Sequence, residues 1–123
     1  MATKVEVEEF LEYARILIEA GRLTFVPRTA NIEGMAELGI TNREAEAILM
    51  RLTSNNYSRG PDDDHDTDES DVWIFGASVE KTMVYIKLKT GAAKNGAYVK
   101  CLSFHPAHHE LNFPLRPNKP AKK

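Results

Sequence analysis

Cysteine is almost absent from the chain: Cys101 stands alone, so no internal disulfide can brace the fold. That scarcity leads us to expect a reducing, cytoplasmic setting. No run reaches the roughly 18 consecutive apolar residues of a membrane span, so no membrane partner is expected. Residues Met1 to Phe10 lack the apolar core of a secretory signal, which points the same way. Charge is missing selectively as well. Residues 62–80 hold no lysine or arginine, and residues 81–123 hold a single carboxylate, Glu110.

Those two gaps define what is present. Eight carboxylates crowd 62–80, while nine lysines and arginines occupy 81–123. The net charge of −2 therefore hides a cationic C-terminal third, able to face a polyanion such as RNA. A solvated basic face is the other reading of the same residues. With 123 residues, 42% of them hydrophobic, one small core is expected. The predicted organisation is one domain over 1–105 and a Pro/Lys-rich tail over 106–123.

The N-terminal half reads as helices. Thr3 and Glu6 have capping-box spacing, and Phe10, Leu11, Ala14, Leu17 and Ile18 repeat on one helical face up to Gly21. Leu23 to Val26 reads as an apolar link. A second short helix is predicted over about Asn31 to Leu38, ending at Gly39. Thr41 and Glu44 open a third, with Ala45, Ile48, Leu49 and Leu52 on one side.

Beyond Tyr57 the pattern changes. Ser58-Arg59-Gly60-Pro61 reads as a turn, and Asp62 to Asp71 as an acidic loop. Three strands are then predicted. Val72 to Phe75 is short. In Lys81 to Lys89, Val84, Ile86 and Leu88 alternate with Met83, Tyr85, Lys87 and Lys89. In Tyr98 to His105, Tyr98, Lys100, Leu102 and Phe104 are expected on one side, with Val99, Cys101, Ser103 and His105 opposite. Helices followed by a meander predict an α+β fold, with N-terminal helices on an antiparallel sheet of at least three strands.

Two polar rows could carry chemistry: Tyr85, Lys87 and Lys89 on one strand, Ser103 and His105 on the next. On a shared sheet face they would converge. Cleavage of RNA by its own 2′-hydroxyl needs a base, an acid and cations for the developing phosphorane charge. Histidine titrates near neutrality and suits either proton role, while Lys87 and Arg59 suit the phosphate. His105, His108 and His109 do not match a zinc motif, and Pro106 argues against a helix there. Asp62, Asp64, Asp66 and Asp68 resemble a calcium loop, but Thr67 and Trp73 stand where glycine and glutamate are required. No metal and no other cofactor is expected. Cys101 reads as a core residue, and Trp73 and Phe75 as core or edge aromatics.

Several stretches together resemble the MqsR family of type II toxins. They are Ala36-Glu37-Leu38-Gly39-Ile40-Thr41, Ile48-Leu49, Leu52-Thr53-Ser54-Asn55-Asn56-Tyr57, Val72-Trp73-Ile74-Phe75, Val84-Tyr85-Ile86-Lys87 and Leu102-Ser103-Phe104-His105. The resemblance spans about residues 10–105 and rests on order and spacing. It implies a RelE-like ribonuclease fold and metal-independent mRNA cleavage that halts translation and growth. It also implies a cognate antitoxin, a helix-turn-helix DNA-binding protein through which alone DNA would be engaged. Carried over by position, the site would comprise His105, Tyr85, Lys87 and Arg59 as catalytic residues. Tyr57, Lys89 and Ser103 would contact substrate. The chain departs from the better-known members in three places. His105 stands where they have lysine, Ile74 where they have glutamine, and the acidic segment before Trp73 is an insertion. A non-catalytic RNA- or protein-binding module of the same fold is the competing expectation.

Overall fold

Helix α1 (Lys4–Glu19) begins where the capping box places it: the Thr3 hydroxyl accepts from the Glu6 N–H, and the Glu6 carboxylate from the Thr3 N–H. That bond to the Thr3 backbone holds the Glu6 carboxyl below its ordinary range. The chain is described here by a computed structural model over residues 1–64 and 69–117. Val7, Phe10, Leu11, Ala14, Leu17 and Ile18 of α1 are buried in the core. Helix α2 (Thr29–Leu38) ends at Gly39, whose φ of 71° lies in the left-handed region that glycine enters without penalty. Helix α3 (Asn42–Met50) carries a second capping box, Thr41 with Glu44, and a short 3-10 turn (Ser54–Asn56) follows.

Among the described residues five strands form one mixed sheet, β1 (Leu23–Phe25), β2 (Tyr57–Asp64), β3 (Glu69–Val79), β4 (Thr82–Ala93) and β5 (Gly96–Pro106). Their spatial order is β1-β5-β4-β3-β2, with β1 parallel to β5 and every other pair antiparallel. The fold is α+β, as the order of elements predicts. On the helix-covered face, Phe75, Val84, Ile86, Leu88, Val99, Cys101 and Phe104 pack with α1 and α3. Phe10 stacks on Trp73 with ring centroids 4.4 Å apart, so Trp73 is a structural aromatic.

The structure departs from the sequence reading in five places. Leu23 to Phe25 is a strand rather than a link: β5 offers a free edge, and three residues in parallel register with Val99 to Cys101 satisfy part of it. Ser58 to Pro61 lies inside β2 rather than in a turn. The strand is at the sheet edge and its register shifts three times, which is where a Gly-Pro pair can be accommodated. The acidic segment supplies the arms of the β2–β3 hairpin, and His65 to Asp68 fall outside the described residues. Residues 106–117 are irregular but lie on the sheet: a Cβ on Gly76 would stand 2.6 Å from the Leu111 side chain and 2.9 Å from that of Phe113. This strap closes with Arg116, which stacks on Phe113 at 3.9 Å and donates to the Asn55 carbonyl.

The fifth departure sets the site. Leu88 pairs with Cys101 but Lys87 pairs with Ser103, so Leu102 is an extra residue in β5. A bulge of this kind shifts the alternation by one. Val99, Cys101 and Phe104 thus all face the core, whereas one uninterrupted strand would have split them. Asn31 of α2 holds the bulge. Its Nδ2 donates to the carbonyls of Val26 (2.8 Å) and Leu102 (3.0 Å), and its Oδ1 accepts the Phe104 N–H (3.0 Å). The buried amide thereby satisfies backbone groups of β5 that β1 is too short to reach.

Candidate active site

The sheet face turned away from α1 carries the chemistry. In the β4–β5 ladder Tyr85 is opposite His105 and Lys87 is opposite Ser103. The Tyr85 and His105 rings stack, centroids 5.5 Å apart and planes 26° from parallel. Across its other neighbour, His105 stacks on His108 of the strap, at 5.0 Å and 23°. His105 is thus the middle ring of three.

Its nitrogens are distinguished by the backbone. Nδ1 lies 2.9 Å from the Pro106 carbonyl oxygen. A carbonyl only accepts, so Nδ1 is the N–H that donates, and Nε2 holds the lone pair whenever the ring is neutral. Helix α2 fixes the position of the ring from behind. A Cβ on Gly34 would stand 2.4 Å from the His105 Cβ and 2.9 Å from its Cα.

These rings border a cleft of about 680 Å³. Tyr85, Lys87, Ser103, His105 and Ile74 line it from the sheet, Arg28 and Asn31 from the start of α2, and Ser58 and Arg59 from β2. The strap closes the remaining side with His108 to Asn112. Lys87 is 6% exposed and Ser103 4%, although both face the cleft. The Lys87 Nζ lies 5.9 Å from the centre of the Tyr85 ring. A charge held in so sheltered a place acts on a bound anion with little screening by water. Arg59 is largely exposed at the rim, with Nε 3.7 Å from an Asp62 carboxylate oxygen.

Five of the seven residues singled out from sequence therefore meet: Arg59, Tyr85, Lys87, Ser103 and His105. Two do not. Tyr57 is fully buried, packed against Trp73 and Phe75, and its hydroxyl donates to the Gly60 carbonyl and accepts from the Ala2 N–H. A substrate cannot reach it, because Tyr57 pairs with Phe75 and shares its core-facing side of the sheet. Lys89 lies further along β4, opposite Lys100, and does not line the cleft. Arg28, Asn31 and His108 line it without having been singled out for it. The polar Asn31 three residues before Gly34 was a readable sign that α2 does more than fill space.

Cys101 is buried, and burial pushes its thiol far above the ordinary range, so it offers no nucleophile. Among the described residues no three histidines, cysteines or carboxylates are grouped to hold a metal ion. The His105 and His108 rings lie nearly parallel, which keeps their in-plane lone pairs from converging on one ion. Among the described residues no helix is long and apolar enough to cross a membrane. No protein-family model matches the chain, and no significant match exists among curated proteins or solved structures.

Proposed function

We propose that the protein is a metal-independent endoribonuclease that cuts mRNA, and that it acts as the toxin of a toxin–antitoxin pair. The observation that carries the chemical half is the placement of His105 and Tyr85 side by side above the buried Lys87 in one cleft. The toxin half rests on the ordered motifs that resemble the MqsR family, and its partner would be a cognate antitoxin of the helix-turn-helix type.

In this reading the cleft holds one phosphodiester of a single-stranded RNA. The neutral His105 Nε2 takes the proton of the 2′-hydroxyl, and the 2′-oxygen attacks phosphorus. The P–O5′ bond breaks and the departing oxygen takes a proton from an acid in the cleft or from water, leaving a 2′,3′-cyclic phosphate and a 5′-hydroxyl. Lys87 and Arg59 stabilise the charge that grows on the equatorial oxygens. Tyr85 orients the imidazole, and Ser103 and Ser58 can hydrogen-bond the phosphate or ribose. No step calls for a metal or another cofactor.

Purified protein incubated with a long mRNA transcript in EDTA provides the test. Discrete fragments ending in cyclic phosphate are expected. Replacing His105 with alanine should slow cleavage by about 10³-fold and relieve growth arrest on induction. Intact RNA after incubation with the wild type would leave only a binding module.

A further inference from the structure

A phosphodiester cut by transphosphorylation needs two proton carriers, one for the entering and one for the leaving oxygen. His105 fills one place. We propose that His108 fills the other, as the general acid that protonates the departing 5′-oxygen. The assignment rests on the ribonuclease reading above.

Three observations converge on it. His105 and His108 both line the cleft, so a molecule bound there is within reach of both. Their stack sets the ring centroids 5.0 Å apart, close enough for the two imidazoles to serve different oxygens of one phosphodiester. Their surroundings also differ. His105 is half-buried between two rings, with Nδ1 bound to a carbonyl, whereas His108 is exposed.

The two roles ask for different states: the base must offer the His105 Nε2 lone pair, and the acid must bring a proton on His108. The exposed position of His108 lets water return that proton after each turnover. The other charged and titratable groups lining the cleft are Arg28 ahead of α2, Arg59 of β2, Tyr85 and Lys87 of β4, and His109 and Glu110 of the strap. Three of these, Arg28, Arg59 and Lys87, are cations whose field favours a bound phosphate.

The proton balance closes. His105 gains the 2′-proton, His108 loses one to O5′, and exchange with water after product release restores both rings.

Two oligoribonucleotides containing a mapped cleavage site test the assignment, one ordinary and one with sulfur replacing the 5′-bridging oxygen. A thiolate leaves without a proton and so needs no acid. His108→Ala should cut the ordinary oligonucleotide about 100-fold more slowly than wild type and the sulfur-bridged one at the wild-type rate. Its pH–rate profile should lose the limb that falls with rising pH. Equal rates for the two proteins on the ordinary oligonucleotide would overturn the assignment and leave the ribonuclease reading intact. An equal loss on both oligonucleotides would also overturn it, since His108 would then serve binding or shape. A wild-type protein that cuts neither would overturn both proposals. Because His108 is exposed, the substitution does not threaten the core.

Discussion

Gly34 of α2 lies against His105 of β5 so closely that an added Cβ would come within 2.4 Å of the histidine Cβ. The next atom is the His105 Cα at 2.9 Å, and since the Cβ is fixed to that backbone atom, no flexible side-chain end can yield. Gly34→Ala should therefore displace His105 or lift the helix. Alanine favours the helix by about 1 kcal/mol, which offsets part of an overpacking cost of about 1–3 kcal/mol. Stability should fall little, yet RNA cleavage should drop by about 100-fold, because small displacements of a catalytic group are costly. Thermal melting measured beside cleavage rates separates the two effects.

Asn31 ties three backbone groups at once, two of them at the Leu102 bulge. Asn31→Ala strands the Leu102 carbonyl and the Phe104 N–H, each orphaned group costing about 1–3 kcal/mol. We expect a destabilisation of about 3 kcal/mol in urea unfolding. Amide exchange at Phe104 should accelerate well beyond what the global loss explains. Unchanged protection there would show that something else holds the bulge.

Lys87 is sheltered in the cleft and directly faces Ser103 across the ladder. If its charge serves the phosphorane, its effect belongs to the transition state more than to bound RNA. Lys87→Met should lower kcat for cleavage by about 100-fold and change KM by no more than about threefold. A variant that loses binding and keeps kcat would move Lys87 to a purely substrate-holding role.

Cys101 is buried in the core and its thiol is held protonated there. In the unfolded chain it ionises near its ordinary value of 9.0, and the folded chain resists that ionisation. Above pH 9 the folded state therefore binds more protons than the unfolded one, so stability falls as pH rises. The expected slope is about 1.4 kcal/mol per pH unit relative to Cys101→Ala, which lacks the group. Paired urea titrations from pH 8 to about 10.5 read that difference, and parallel curves would contradict the burial argument.

The features legible in the amino-acid order are the local ones. Thr3 with Glu6 and Thr41 with Glu44 set two helix starts through hydrogen bonds spanning three residues, and Gly39 set an end by its own backbone freedom. The period of two in β4 placed Tyr85 and Lys87 on one face, because strand geometry makes alternate residues neighbours whatever surrounds them. In β5 the same period grouped Ser103 with His105 correctly but put Val99 and Cys101 on their side and Phe104 opposite, which the fold does not. Leu102 interrupts the alternation, and what makes the interruption stable is Asn31, 71 residues away. The strands at both edges, Leu23–Phe25 and Tyr57–Asp64, likewise depend on a partner that only the folded sheet provides. The strap shows the same limit: its prolines announced irregular chain, but its rest against Gly76 and His105 is a long-range contact. Composition and periodicity thus determined which residues carry charge and protons. Tertiary packing decided which of them meet, because bulge, edge pairing and strap are each stabilised by groups far apart in the chain.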